Sequence, residues 1–319
     1  MIQMCASART WTDVKGRTIE GELVRVEAEI AVIKVNGREF RIPFQKLSEK
    51  DQEFLRTHED QSLATVSEAG SLFGTELKAG ETVEVTGPLN DKSLKALSGN
   101  KLKPTQMKIK LSLPPDFDSA KPQKVFWAVG GINNEAERIK GNIGTFRRGN
   151  LAASKGWLVI AADTEHGNPR ESTVQVSEGD PAFHDQVFDE LSAVWPEFKN
   201  WKHACGGHSS GAKGSFFRLA QLLNAKANAV GGFFSGCNQS MALMACEETR
   251  LRKSAFKKVK GFQSTGDKDH LVPASSIKRV TDEMKDGGIR NSRSQTFPGG
   301  HVMSSEQFGE ALDWFAEEE

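Results

Sequence analysis

Two short stretches, Lys124-Val-Phe-Trp-Ala-Val129 and Trp157-Leu-Val-Ile-Ala-Ala162, are apolar at nearly every position. They restrict the folds open to this chain more than any other feature. A strand with one wet face alternates apolar and polar side chains, whereas a strand covered on both faces cannot. Such runs belong in the middle of a sheet sandwiched between helices. Helical stripes follow them: Val187, Phe188, Leu191, Val194 and Trp195, then Phe216, Phe217, Leu219, Ala220 and Leu223. Two more short strand patterns, Ala229 to Phe234 and Val259 to Gln263, come later. The half-exposed alternations Thr82 to Val85 and Met107 to Leu113 come earlier. Strands alternating with helices predict an α/β fold, a doubly wound, mostly parallel sheet.

The first part of the chain has a different period. Ala31-Val-Ile-Lys-Val35 and Phe40-Arg-Ile-Pro-Phe44 flank Asn36-Gly37, the signature of a two-residue hairpin. Phe40, Ile42 and Phe44 fall on one face, and Ile19 to Val26 alternates before them. Ser48-Glu-Lys-Asp51 reads as a cap opening a short helix through Leu55. About five strands in so few residues suit a small all-β, SH3-like barrel over 9–57, with Trp11, Leu23, Ile33, Phe40, Ile42, Phe44 and Phe54 as its core. The polar stretch 58–73 reads as a linker, and 74–319 as the α/β domain.

Residues 1–8 form either a tail or the remnant of a signal peptide. Ala6-Ser7-Ala8 has the small-x-small form of a signal-peptidase site, but the apolar stretch that should precede it is missing. Export to a periplasm or the medium is therefore one expectation and cytoplasmic residence the other. Lysine plus arginine balances aspartate plus glutamate at 42 each, which points away from nucleic acid as a partner. No apolar run approaches the roughly 18 to 20 residues of a membrane span. Of the four cysteines, Cys237 and Cys246 are the plausible pair, with buried free thiols as the alternative.

The chemistry centres on Gly207-His208-Ser209-Ser210-Gly211, a G-x-S-x-G window between a strand pattern and a helix pattern. Such a turn lifts the serine hydroxyl into a cleft, and the flanking glycines let neighbouring backbone pass close. A serine hydroxyl needs a histidine to take its proton and a carboxylate to orient that histidine. Both follow: Val259 to Gln263 runs into Ser-Thr-Gly-Asp267-Lys-Asp269-His-Leu-Val-Pro273, and Phe297-Pro-Gly-Gly-His301 precedes the last helix. Asp269 and His301 are the candidate acid and base. Backbone donors for a developing oxyanion are expected from Ser210 and from Gly131 or Ile132 in the turn after Val129. His208 lies in the elbow itself, where its side chain should point away from the serine. His208, Asp163, His166 and Ser235 are candidate pocket residues. His166, His184 and His270 lack any metal-ligand spacing, so no metal and no organic cofactor is expected.

The motifs Gly207 to Gly211, Gly266-Asp-Lys-Asp-His-Leu-Val-Pro273 and Pro298-Gly-Gly-His301, in the order Ser, Asp, His, resemble those of the α/β-hydrolase superfamily in its esterase and dienelactone-hydrolase-like branches. The form D-x-x-V-P in that family places the acid at Asp269 ahead of Asp267. The family usually carries His-Gly at the oxyanion turn, where this chain has Val129-Gly130. The resemblance implies a serine hydrolase acting on a small-molecule or polymer-derived carboxylic ester through an acyl-enzyme. Amide or peptide hydrolysis, or a non-catalytic binding protein on the same fold, are the alternatives. Residues 9 to 56 resemble the Sla-type homology domain (SHD) family in Arg9, Trp11, Thr12, Leu47, Ser48, Asp51, Phe54 and Leu55. That resemblance implies a peptide or other surface ligand at the barrel. It also supports export, since similar domains sit in exported proteins of planctomycete-like bacteria.

Overall fold

The computed structural model describes residues 9–27, 30–35, 38–55, 68–98, 103–130, 148–166 and 179–318. The chain divides into two compact units, 1–66 and 67–319. The tail 1–8, with its Ala6-Ser7-Ala8 site, and the hairpin residues Asn36 and Gly37 lie outside the described residues.

In the first unit, strands β1 (Arg9–Thr12), β2 (Thr18–Glu27), β3 (Ile30–Val35) and β4 (Arg38–Pro43) form an antiparallel sheet in the order β1-β2-β3-β4. Val35 lies opposite Arg38, the register a two-residue connection demands. Among the described residues no fifth full strand is formed. After a 3-10 turn at Phe44–Lys46, the chain contributes only an isolated bridge between Leu47 and Asp13. Trp11, Ala31, Ile33, Phe44, Leu47 and Leu55 make the core, with Leu23, Ile42 and Phe54 partly buried against it. Phe40 was expected there and is 46% exposed. It sits on the edge strand β4, where its side chain has gone to the outer face. The residues that carry the SHD resemblance turn out to be the structural ties. The buried Asp51 carboxylate accepts hydrogen bonds from Arg9 (2.5 Å), the Thr12 amide (2.8 Å) and the Ser48 hydroxyl (2.9 Å). The Arg9 guanidinium also lies 3.6 Å from the Phe54 ring centroid.

The second unit opens with a hairpin of β5 (Glu68–Leu72) and β6 (Thr75–Lys78). This strand occupies the end of the stretch expected as a linker, whose 58–67 part lies outside the described residues. Ala69 and Leu72 are buried in the main core, and Trp195 donates its indole N–H to the Ala69 carbonyl. Eight strands follow: β7 (Thr82–Pro88), β8 (Gln106–Ser112), β9 (Lys124–Val129), β10 (Trp157–Thr164), β11 (Lys202–His208), β12 (Asn228–Ser235), β13 (Lys260–Gly266) and β14 (Asn291–Phe297). Their order is β14-β13-β12-β11-β9-β10-β8-β7. The pairs from β14 to β10 are parallel, and β8 and β7 are antiparallel.

Why the two diagnostic runs are apolar throughout is now visible. Along β9, Val125, Trp127 and Val129 enter one core while Phe126 and Ala128 face the other. Along β10, Leu158, Ile160 and Ala162 alternate in the same way with Trp157, Val159 and Ala161. The strand period of two thus feeds two hydrophobic layers at once. Full burial of each large side chain contributes about 1.5–3 kcal/mol. The first layer is closed by α3 (Gly179–Val194), α4 (Ser210–Asn224) and α5 (Ala242–Thr249), which follow α1 (Asp91–Ala96) and α2 (Gly149–Ser154) in the chain. The second is closed by α2 and the last helix, α7 (Ser305–Ala316), which comes after α6 (Ile277–Asp286). No helix among the described residues is long and apolar enough to cross a membrane. Cys205, Cys237 and Cys246 are all unbridged.

Candidate active site

Ser209 joins β11 to α4 with φ 59° and ψ −121°, a backbone conformation that a residue with a Cβ rarely tolerates. The strand holds it there. The Ser209 amide donates to the Ser235 carbonyl of β12 at 2.8 Å, and the Ser209 carbonyl accepts from Ala212 at 3.1 Å to start the helix. The two flanking glycines are required by contact. A Cβ on Gly207 would lie 2.3 Å from the Val129 carbonyl oxygen, and one on Gly211 would lie 2.4 Å from the same oxygen. The elbow is therefore pressed directly onto the end of β9, at Val129 and Gly130.

Asp269 follows β13 and His301 follows β14, so both stand at the carboxyl ends of parallel strands, as Ser209 does. His301 Nδ1 and Asp269 Oδ2 are 2.7 Å apart. The other carboxylate oxygen of Asp269 accepts the amides of Leu271 (2.9 Å) and Val272 (2.8 Å). Burial alone would raise the Asp269 carboxyl, but hydrogen bonds from His301, Val272 and Leu271 outweigh it and hold the group below its ordinary value. The acid is thus kept as a carboxylate against the His301 ring.

The two loops are also tied to each other. Lys268 donates its amide to the Gly299 carbonyl (2.8 Å), and the Gly299 amide donates to Asp267 Oδ1 (2.9 Å). Asp267 is exposed, and its carboxylate fastens the loop that carries His301.

His208 does not simply turn away into the fold. Its ring centroid lies 4.4 Å from that of His301, with the planes at 51°, and its Nδ1 is 3.1 Å from Ser235 Oγ. Ser235, fully buried, thus holds the His208 ring through its hydroxyl. Asp163, near the end of β10, and His166, two residues past it, stand two strands from β11, on the order of 10 Å across the sheet. Asp163 is buried there and His166 is exposed. Ser210 is the first residue of α4. Gly131 and Ile132 lie outside the described residues.

Sequence reasoning missed Gly236 and Arg148. Gly236 has φ 56°, and a Cβ there would lie 2.6 Å from His208 Cε1 and 3.1 Å from His301 Cε1. A glycine just past a strand end was the available signal. Arg148 donates to the Met303 carbonyl (3.0 Å) and to Ser305 Oγ, strapping the segment after His301. Nothing in its local sequence marks it. Among the described residues no group of three or more His, Cys, Asp or Glu is arranged to hold a metal ion.

Comparisons with known proteins agree with this architecture. Residues 4–63 match the family described as SLA1 homology domain 1, SHD1. No curated protein matches the sequence. Among solved structures, FphF, a fluorophosphonate-binding serine hydrolase of Staphylococcus aureus, is 14% identical and aligns over 75% of this chain and 100% of its own, with a TM-score of 0.50. A ferulic acid esterase is 15% identical over 74% of this chain and 96% of its own, at 0.48. The esterase Pf2001 of Pyrococcus furiosus is 14% identical over 73% and 92%, at 0.47. At 14% identity the likeness to FphF concerns the fold alone, a mostly parallel sheet flanked by helices.

Proposed function

We propose that the larger unit is a serine hydrolase of carboxylic esters. The observation that carries the reading is the strained Ser209 elbow at the same sheet edge as the hydrogen-bonded Asp269–His301 pair. In this reading Ser209 Oγ attacks the ester carbonyl carbon. Its proton passes to His301 Nε2, because Nδ1 is engaged by Asp269. His301 then returns the proton to the departing alcohol, leaving an acyl-enzyme, and a water molecule deprotonated by His301 releases the acid. The Ser210 amide, at the start of α4, supplies one donor to the oxyanion, and the chain after Gly130 supplies the second.

An ester with apolar substituents suits the surroundings. Leu271, 68% exposed, and Val302, 54% exposed, are the most exposed large apolar side chains among the described residues of this unit, and each lies within two residues of the acid or the base. Release of p-nitrophenol from short-chain p-nitrophenyl esters by the wild type and by Ser209→Ala tests the proposal. Turnover in the wild type that falls by several orders of magnitude in the variant supports it. Equal rates remove Ser209 from the mechanism. Turnover of a p-nitroanilide but not of the ester would move the assignment to amide hydrolysis, and no turnover of either would favour a binding protein on this fold.

The first unit supports a separate role as a binding module. Phe40 is exposed on β4, an edge strand, the arrangement to which an extended peptide can add.

A further inference from the structure

The elbow histidine carries an inference that rests on the hydrolase reading and refines it. His208 ends β11, directly before Ser209, yet its ring is turned onto the imidazole of His301, 4.4 Å away between centroids. Ser235, opposite His208 in the β11–β12 ladder, fixes that ring through its hydroxyl at 3.1 Å from Nδ1. The same Ser235 accepts the Ser209 amide through its carbonyl, so one residue of β12 locates both the nucleophile and the ring beside the base. Gly236 closes the arrangement, since even a methyl group at that position would strike His208 and crowd His301. His208 Nε2 is buried as well.

We infer that His208 is a positioning residue for the base: a neutral imidazole, locked by Ser235, that packs on His301, fixes its ring beside the elbow and screens it from water. Burial first, and the neighbouring His301 second, lower the His208 imidazole to about 4, so it stays uncharged while His301 works. The charged or titratable groups that act on His208 come from three other segments. Asp269, after β13, bonds His301 and mildly favours a proton on His208. Arg148, at the start of α2, opposes one. The His301 ring opposes one, because two imidazolium rings in contact at low dielectric repel, whereas a hydrogen bond to the His301 backbone favours one. The proton taken from Ser209 therefore resides on His301 alone.

Three variants separate positioning from mere packing, with wild type and Ser209→Ala compared first so that a failure of the hydrolase reading shows up on its own. For His208→Ala we expect kcat for a p-nitrophenyl ester to fall about 10- to 100-fold with KM within about twofold. Water admitted to the freed space favours imidazolium, so the acid limb of the kcat/KM profile should move to higher pH. His208→Asn, which can still bond Ser235, should recover part of kcat, and Ser235→Ala should lose less than His208→Ala. A readout that needs no turnover is the ¹⁵N-histidine NMR spectrum. The His208 ring should stay neutral from pH 5 to 9, and the His301 signals should shift in His208→Ala. A wild-type kcat and pH profile in His208→Ala would overturn the inference. So would a variant with lowered melting temperature, unmoved His301 signals and an unmoved acid limb, which is the outcome of packing alone. A His208 signal that titrates near neutrality would also overturn it.

Discussion

Gly211→Ala tests how the elbow is built with a single methyl group. The added Cβ would sit 2.4 Å from the Val129 carbonyl oxygen and 2.9 Å from the Gly130 carbonyl carbon, where ordinary contact begins at 3.4 Å. Backbone cannot swing aside as a side-chain end can, so α4 and the end of β9 must separate by about 1 Å. Overpacking of this kind costs about 1–3 kcal/mol of stability. The greater effect should be on catalysis, because the moving parts are Ser209 and the turn assigned to the oxyanion. A displacement of that size costs about 100-fold in rate, or about 2.7 kcal/mol of transition-state stabilisation. The assay is kcat/KM for p-nitrophenyl butyrate alongside urea unfolding, which separates active-site displacement from loss of folded protein. Wild-type stability together with wild-type kcat/KM would refute the claimed close approach of the elbow to β9.

Three further expectations follow from the same geometry. Because the folded Asp269 carboxyl lies below its ordinary 3.8, its contribution to stability is present above that value and is lost as the pH falls through the lowered one. The melting temperature of Asp269→Asn should therefore lie below wild type at pH 6 and converge with it on acidification below about pH 4, while kcat falls about 10⁴-fold at pH 7. A fragment of residues 67–319 should hydrolyse esters with the kcat of the full chain, whereas one beginning at residue 74 should be less stable, since it strips Ala69 and Leu72 from the core and the Ala69 carbonyl from Trp195; equal melting curves for the two fragments would contradict this. Leu271→Ser with Val302→Ser should raise KM for p-nitrophenyl hexanoate about 30-fold and for the acetate much less, at about 1 kcal/mol for each of the two lost apolar contacts; an equal effect on both esters would argue against an apolar rim.

The sheet was legible where burial is two-sided. Lys124–Val129 and Trp157–Thr164 have no wet face, so their composition alone declares them. The order Ser209, Asp269, His301 was equally legible, because each follows a strand in a pattern of short glycine-bearing turns. What failed to show has a common cause. Strand β14, Asn-Ser-Arg-Ser-Gln-Thr-Phe, is the sheet edge and carries no apolar period, and β5 is polar apart from Ala69 and Leu72, whose burial comes from the distant α3. Phe40 obeyed the period of its strand but not the side, because only the closure of the small sheet decides which face is inner. The orientation of His208 was hidden for a similar reason. It depends on the register that sets Ser235 opposite it and on the positive φ of Gly236, both products of the assembled sheet.

The most direct test of the account is mass spectrometry of the protein quenched in acid during turnover of a p-nitrophenyl ester. The account predicts an added acyl group on the peptide that contains Ser209, absent in Ser209→Ala and formed far more slowly in His301→Ala, which lacks the base. Turnover with no acyl adduct on that peptide, or an adduct on another residue, would contradict it.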